Sequence, residues 1–310
     1  MKRAPVPPIF VLAFGILAVS TGSIFVRFAQ QDAPSLVIAA VRLTTATVVL
    51  APIALIRYRS EIFSLRRKEL LLALLSGVFL ALHFDTWITS LEYTSVASSV
   101  VLVSTTPLWV ALLAPLTIRE PITRLILAGM LLALLGGVLV GLSEVCSIGS
   151  SGLTCPSLGE FFKGKAFLGD LLAVAGAIMA ALYVIIGRKL RPNMSLIGYI
   201  FVVYAMAAAV LILIMLLAGY SLFGYPVEAY KWMILLGLIP QLLGHSSFNW
   251  ALGYLSAAYV SITLLGEPIA STILAYFLLN ETPSGLEIFG AILILIGIFI
   301  ASQSETRRAQ

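Results

Sequence analysis

Charged side chains are scarce in this sequence. Of its 310 residues only 11% are charged and 60% are hydrophobic, whereas ordinary soluble domains carry about 25% charged residues. Long apolar runs follow one another with short connections, and about 20 apolar residues suffice to cross a bilayer. The scarcity of charge therefore excludes a sizeable soluble domain and predicts an all-α polytopic protein embedded in a lipid bilayer.

Motifs of enzymes and of nucleotide-driven pumps are absent as well. The sequence contains no HExxH, GxGD or GxxxxGK motif, and it has only two His and two Cys residues, without the spacings that hold a metal. The net charge of +5 comes from short loops between apolar runs rather than from one basic patch. We therefore expect neither enzymatic activity nor a cofactor, a metal site or a nucleic-acid partner.

The apolar runs predict ten membrane-spanning helices. Clusters of turn and charged residues separate the runs, such as Arg191-Pro192-Asn193. The predicted spans are residues 8–28, 34–57, 69–91, 95–118, 122–143, 167–188, 194–218, 229–250, 255–279 and 284–302. The longest connection, 144–166, is the one substantial segment predicted outside the membrane, and residues 303–310 form a short tail.

Basic residues are distributed unevenly between the two sides of this arrangement. With the N-terminus in the cytoplasm, 14 of the 19 basic residues lie inside, four lie outside, and Arg42 lies within a span. Cytoplasmic loops of membrane proteins are enriched in Lys and Arg. We therefore expect an integral protein of a prokaryotic cytoplasmic membrane, with both termini in the cytoplasm.

The two halves of the chain repeat one pattern at a constant spacing. Identical residues recur 161 positions apart, among them Gly15/Gly176, Arg27/Arg188, Tyr93/Tyr254, Ser95/Ser256, Ala97/Ala258, Pro107/Pro268, Glu120/Glu281, Gly129/Gly290 and Gly136/Gly297. Each half therefore holds one copy of a five-helix unit, over residues 1–143 and 167–302. Because five is odd, the second copy must start outside and lie upside down relative to the first. Inverted repeats of this kind are an architecture of secondary transporters.

The first apolar run could instead be a cleaved signal peptide. Lys2 and Arg3 precede it, and Ala18-Val19-Ser20 could serve as a cleavage site. The repeat favours retention, because residues 171–188 correspond to 10–27 and have to span the membrane.

Cys146 and Cys155 both fall in the 144–166 loop, which this topology places outside the cytoplasm. An oxidising compartment permits a disulfide between them. Two free thiols are the alternative.

The segment from His83 to Gly137 and its counterpart from Gly253 to Ala301 resemble the two repeats of the EamA family, in the drug/metabolite transporter superfamily. AAVRLTTA around Arg42 resembles it too. The shared features are small residues, a mid-helix Pro and a terminal Glu, arranged twice over essentially the whole chain. The resemblance implies a ten-helix carrier that moves small metabolites, often outward, by alternating access.

Glu267 lies midway along the ninth span, in a polar stripe. Tyr259, Thr263, Glu267 and Ser271 recur at every fourth residue, so they share one face, which is expected towards a cavity or another helix. A carboxylate at that depth is expensive, and we interpret it as a ligand for a substrate cation or as a proton-coupling group. The alternative is a hydrogen-bonded structural Glu. Its counterpart in the first half, Thr106, is uncharged, which favours a dedicated role.

Pro107 and Pro268 lie near the centres of the fourth and ninth spans. Each removes a backbone hydrogen bond and kinks its helix. Their symmetry predicts a pair of hinges that open two gates, and static packing of bent helices is the alternative.

His83 and Trp87 share a face of the third span and are predicted to line a pocket. Asp85 points about 200° away from His83. Asp85 and Arg42 lie at similar depths, ~9 and ~12 Å from the outer ends of their spans, which predicts a structural ion pair. For His83 the alternative is a hydrogen-bonded core histidine.

His245 and Asn249 share a face of the eighth span, the counterpart of the third. We therefore predict that they belong to the same pocket as His83 and Trp87.

These features together predict a secondary carrier. Its partners would be a small-molecule substrate, such as an amino acid or a related organic solute, and protons, and it would act as an exporter or an exchanger. The alternative is a non-transporting membrane receptor or assembly factor, for which only residues 144–166 offer a binding surface. Two complementary halves in one chain make a monomer sufficient.

Overall fold

The structure is a computed structural model that describes residues 4–120, 122–143, 147–149, 152–154, 164–279, 282 and 284–309. The helices of the first half are α1 (Pro8–Ser20), α2 (Gly22–Ala29), α3 (Ser35–Arg57), α4 (Arg59–Phe63), α5 (Arg67–Ser90), α6 (Val96–Val103), α7 (Thr106–Thr117) and α8 (Arg124–Ser143). Two short antiparallel strands follow, β1 (Ser147–Gly149) and β2 (Gly152–Thr154). The second half holds α9 (Lys165–Leu190), α10 (Leu196–Leu217), α11 (Val227–Leu236), a π-helical segment (Gly237–His245), α12 (Ser246–Ala251), α13 (Ala257–Thr263), α14 (Gly266–Leu279) and α15 (Gly285–Ala309).

The helices have the length and the surface of membrane spans. Seven in the described part of the chain are long and apolar enough to cross a membrane: Pro8–Ala29, Ser35–Arg57, Arg67–Ser90, Ser98–Thr117, Lys165–Leu190, Leu196–Leu217 and Ala257–Leu278. Large apolar side chains cover the outer surface; Leu17, Leu116 and Phe277 are 65%, 81% and 71% exposed. Water would disfavour such a surface and lipid would not. The protein is therefore an integral membrane protein.

Every predicted span overlaps a helix or a set of consecutive helices, but two predicted continuous helices are interrupted. Two residues separate α6 from α7, and two separate α13 from α14. Pro107 and Pro268 lie in the first turn of α7 and of α14, where a missing N–H leaves no helical hydrogen bond unmade. The predicted kinks within helices are thus breaks between helices. In addition, α15 continues to Ala309, through most of the predicted tail.

Repeated glycines explain how closely α8 and α15 pack. A Cβ atom on Gly136 would stand 2.4 Å from the carbonyl oxygen of Gly290, and one on Gly297 would stand 2.4 Å from that of Gly129. Only a residue without a side chain permits this approach of two backbones. The four glycines form two pairs 161 positions apart, so the contact is the same from both halves.

Hydrogen bonds at the helix ends obey the same spacing. Arg27 Nη1 donates to the carbonyl of Leu91 over 2.7 Å, and Arg188 Nη1 donates to that of Leu252 over 3.1 Å. Both residues of the second contact follow those of the first by 161 positions. The two halves therefore build equivalent contacts from equivalent residues.

A second pair of contacts repeats in this way. Gln30 Nε2 donates to the carbonyl of Ile88 over 2.9 Å, and Arg191 Nε donates to that of Asn249 over 2.8 Å. Arg191 follows the end of α9, and burial lowers the pKa of its guanidinium.

Candidate functional site

A cavity lies between the two halves, beside the breaks before α7 and α14. Centres of water molecules can occupy about 60 Å³ of it, which is room for a few waters. The cavity is lined by Val19, Arg42, His83, Phe84, Trp87, Val103, Ser104, Thr106, Ala180, Tyr183, Val184, His245, Phe248, Asn249, Leu252, Leu264 and Glu267.

Corresponding positions of the two halves build this cavity. Ten of its lining residues form five pairs at the 161-residue spacing: Val19/Ala180, Phe84/His245, Trp87/Phe248, Val103/Leu264 and Thr106/Glu267. The rings of Phe84 and His245 meet edge on, with centroids 5.1 Å apart. The cavity therefore lies where equivalent elements of the halves come together.

Arg42 is a buried cation in the wall of this cavity. Its side chain on α3 is 1% exposed, and its Nε donates to Oε1 of Gln241 over 3.0 Å. Its guanidinium carbon lies 3.8 Å from the ring centroid of Phe84 and 5.8 Å from that of Trp87, close enough for cation–π attraction. Its Nη1 is buried without a hydrogen-bond partner.

Arg42 does not pair with Asp85, so the structure corrects the predicted ion pair. Phe84, one residue earlier on α5, covers the guanidinium instead, and Asp85 is not among the cavity-lining residues. Successive residues of a helix point about 100° apart. Two residues at the same depth in two spans therefore need not be in contact, because depth does not tell which side of each helix faces the other.

Glu267, in the first turn of α14, lines the cavity as predicted for a pocket residue. Its carboxylate makes no hydrogen bond or salt bridge with any described residue. Glu267 and Arg42 line the same cavity but do not form a salt bridge. The cavity thus holds one acid and one base that face a common space without touching.

The remaining members of the predicted polar stripe do not reach the cavity lining. Thr263 Oγ1 donates to the carbonyl of Val260 over 2.7 Å, and Ser271 Oγ donates to that of Ser20 over 3.2 Å. Tyr259 is 7% exposed and packs in the core. The break between α13 and α14 ends the every-fourth-residue register that predicted one continuous face.

The predicted pocket residues of the third and eighth spans do come together. His83 and Trp87 stack, with an interplanar angle of 5° and centroids 6.3 Å apart, and the ring of His245 lies 6.3 Å from that of His83. His83 Nδ1 donates to the carbonyl of Gly176 over 3.0 Å. If the ring is neutral, its Nε2 is then an acceptor.

Asn249 completes this group, although sequence reasoning missed its partner. Its Nδ2 donates to the hydroxyl of Tyr183 and to the carbonyl of His245, the latter over 2.8 Å. Its Oδ1 is buried without a partner. The sequence does contain a signal for Tyr183. The residue 161 positions earlier is Gly22, so Tyr183 is a large polar side chain where the other half has none.

Gln241 is a second residue beside the cavity that the sequence did not predict. It lies in the π-helical segment, is fully buried, and holds Arg42 through Oε1. Its backbone carbonyl accepts from Tyr204 over 3.4 Å. A wider helical turn of this kind is frequent at functional sites, and Pro240 beside an amide within an apolar run is the signal that could have indicated it.

Glu120 and Arg188 close the contact between halves at one end. Arg188 Nε lies 2.6 Å from Oε1 of Glu120, and the backbone N–H of Ala257 donates to Oε2 over 3.1 Å. The acid therefore holds the N-terminus of α13, from the other half.

Cys146 and Cys155, and with them the predicted disulfide, lie outside the described residues. Within the described ranges, no group of three His, Cys, Asp or Glu side chains could hold a metal ion.

Known proteins resemble this chain over most of its length. The model of the EamA-like transporter family matches residues 6–142 and again residues 167–303. An uncharacterized transporter of Archaeoglobus fulgidus is 25% identical over 238 residues, which cover 74% of each chain. The uncharacterized transporter YyaM of Bacillus subtilis is 22% identical over 214 residues, 68% of this chain and 66% of that protein. A solved crystal structure matches 98% of this chain and 99% of its own, with a TM-score of 0.73 and 17% identity, so the two share a fold.

Proposed function

Because the chain belongs to the EamA-like transporter family, as its sequence predicted, we propose that it is a secondary carrier that works by alternating access. It moves small organic solutes, such as amino acids or related compounds, as an exporter or an exchanger. It resides in a prokaryotic cytoplasmic membrane with both termini in the cytoplasm, as the distribution of basic residues favours.

The proposed architecture has ten spans in two inverted five-helix repeats. The first covers residues 1–143 and the second 167–302; residues 144–166 connect them outside the cytoplasm, and 303–310 form a cytoplasmic tail. The odd number of spans in each repeat requires the inversion. The equivalent contacts of Arg27 with Leu91 and of Arg188 with Leu252 support the repeat itself.

The observation that best supports this function is the lining of the cavity. Five pairs of corresponding residues meet there, one member from each half. If one repeat opens a path from the cavity to one side, the same movement in the inverted repeat opens a path to the other side. A receptor or an assembly factor has no need of such a site.

The breaks beside Pro107 and Pro268 are the proposed hinges. Each break contains a lining residue of the cavity, Ser104 in one half and Leu264 in the other. Residues between two short helices can absorb a backbone rotation that a continuous helix cannot. Movement at either break would widen the cavity towards one side of the membrane.

Glu267 is the proposed coupling residue. Its carboxylate faces the cavity without a hydrogen-bond partner among the described residues, so a proton or a substrate cation can reach it. An acid inside a membrane protein is a recurrent element of proton relays.

Uptake of labelled solutes into proteoliposomes tests the carrier function. We expect at least one small organic solute to exchange across the membrane in a protein-dependent manner. Ala180→Phe, which fills the cavity, should abolish the exchange, whereas Ala128→Phe, on the exposed side of α8, should preserve it. Equal exchange by the two variants, or no exchange of any solute by the unaltered protein, would contradict the proposal.

A further inference from the structure

Arg42 is a buried cation without a bonded counter-charge. Its Nε is held by the neutral amide of Gln241, and the ring of Phe84 covers its face. No acidic side chain in the described part of the chain forms a salt bridge with it. Burial of an unpaired charge is costly, so this position favours an anionic partner that comes from outside the chain.

The remaining donors of Arg42 select the geometry of that partner. Neither Nη1 nor Nη2 donates to any described residue, and Nη1 is fully buried. These two nitrogens form a planar edge that matches the two oxygens of a carboxylate. The indole Nε1 of Trp87, also in the cavity wall, is a further buried donor without a partner.

We propose that the substrate carries a carboxylate and that Arg42 binds it. This inference rests on the proposed carrier function and names the substrate class of the same cavity. It also assigns to Arg42 a binding role in place of the structural pair that the sequence predicted.

Charge balance then defines what accompanies the carboxylate. Arg42 and Glu267 together give the cavity no net charge, and a bound carboxylate adds one negative charge. That charge is compensated at Glu267, either by a proton from solution that neutralises its carboxylate or by an ammonium group of the same substrate. A simple organic acid therefore crosses with one proton, whereas an amino acid brings its own cation.

Binding without transport tests the assignment. The purified protein is heated with aliphatic and aromatic carboxylic acids, the primary amide of each, and the matching amines and α-amino acids. We expect stabilisation by carboxylates and not by the amides or amines. Arg42→Gln should weaken carboxylate binding by about tenfold or more, while Arg57→Gln, which removes a charge from the exposed end of the same helix, should not.

A double variant separates binding from simple neutralisation of Glu267. Arg42→Gln combined with Glu267→Gln leaves the cavity without net charge. We expect this variant to remain folded and to bind no carboxylate. Carboxylate binding equal to that of the unaltered protein would overturn the proposal.

The pH dependence distinguishes the two substrate types. Arg42, His83, Tyr183 and His245 line the cavity together with Glu267. Where Glu267 is ionised and both histidines are neutral, the affinity for a simple acid should fall by about tenfold per pH unit, because one proton binds with it. The affinity for an amino acid should not follow this slope. Either profile supports a carboxylate at Arg42.

Two further outcomes would overturn the assignment. Uptake of an amide or an amine, but of no carboxylate, by proteoliposomes would end the carboxylate proposal and leave the carrier function intact. Absence of a thermal shift with every carboxylate of the panel would end it too. Absence of uptake of every solute would instead contradict the carrier function itself.

Discussion

The two halves of the chain share a framework and differ in chemistry. Contacts at the helix ends and between the glycines of α8 and α15 recur at the 161-residue spacing. Five polar residues of the cavity, in contrast, correspond at this spacing to uncharged or apolar residues of the other half: Arg42/Val203, His83/Gly244, Tyr183/Gly22, Asn249/Ile88 and Glu267/Thr106.

This difference indicates that one set of residues serves the conformational change and another set serves substrate binding in the proposed carrier. The proposed carrier needs two conformations of similar free energy, and equivalent contacts in two halves would provide them if the halves are inverted as proposed. A substrate that bound in the cavity in one orientation would need no counterpart for each of the groups that bind it. Substitution of either residue of an equivalent pair should therefore have the same effect. Substitution of a cavity residue without an equivalent in the other half should affect transport alone.

Removal of the unshared acid should have the largest effect. Glu267→Gln should abolish gradient-driven uptake in proteoliposomes, because the amide cannot carry a proton, and should leave the melting temperature unchanged. Glu228→Gln, which removes an exposed acid paired with Lys231, is the matched control. Full gradient-driven uptake by Glu267→Gln at every pH would contradict the coupling role.

The glycine contacts should give the largest effects on stability, and equal ones. Gly136→Ala and Gly297→Ala each place a Cβ 2.4 Å from a backbone oxygen, which should cost about 1–3 kcal/mol of unfolding free energy. Gly285→Ala, with nothing within 4 Å of the new Cβ, should be close to neutral. Denaturant unfolding in mixed micelles measures all three, and loss of stability in only one of the glycine pair would break the equivalence.

Substitutions of Arg27 and Arg188, at the helix ends, should lower the unfolding free energy by less than the glycine substitutions do. Arg27→Gln removes two bonds to backbone carbonyls and Arg188→Gln removes one, with an expected loss of about 1–2 kcal/mol for each variant. Arg188→Gln should lose more, because it also frees Glu120. Arg188→Lys should restore part of that loss. A larger loss in Arg27→Gln, measured by the same unfolding method, would contradict this order.

The hinge prolines should affect stability least. Pro107→Ala and Pro268→Ala lie in first helical turns, where the change should cost less than about 1 kcal/mol. Each should change the exchange rate in the same direction, since each break serves one gate. Pro52→Ala, inside α3, is the control. Unchanged exchange in both variants would contradict the hinges.

The helices and the repeat could be predicted because the signals lie in single residues. Clusters such as Arg191-Pro192-Asn193 mark the helix ends, and Pro and Gly at one spacing reveal the repeat. The breaks before Pro107 and Pro268 could not, because a proline in an apolar run is compatible with a kinked helix and with a helix start.

Pocket membership could be predicted for His83, Trp87, His245 and Asn249, whose spacing defines a face and which all line the cavity. Glu267 lines the cavity too, but the face predicted for it failed, since Tyr259, Thr263 and Ser271 are not among the lining residues. The partner of Arg42 could not be predicted, since the depth of a residue in the membrane does not tell in which direction it points around the helix axis. Gln241 was missed because the π-helical segment alters the spacing on which faces are judged.

Thiol accessibility at Ser104 tests the central claim, a single cavity opened to each side in turn. Ser104→Cys in a background with Cys146→Ser and Cys155→Ser is exposed to a small membrane-impermeant thiol reagent, from outside in intact cells and from the cytoplasmic side in inverted vesicles. The account predicts labelling of this buried, cavity-lining position from both sides, and none of Ala128→Cys on the lipid-facing surface. Labelling of Ser104→Cys from one side alone, or from neither, would contradict alternating access.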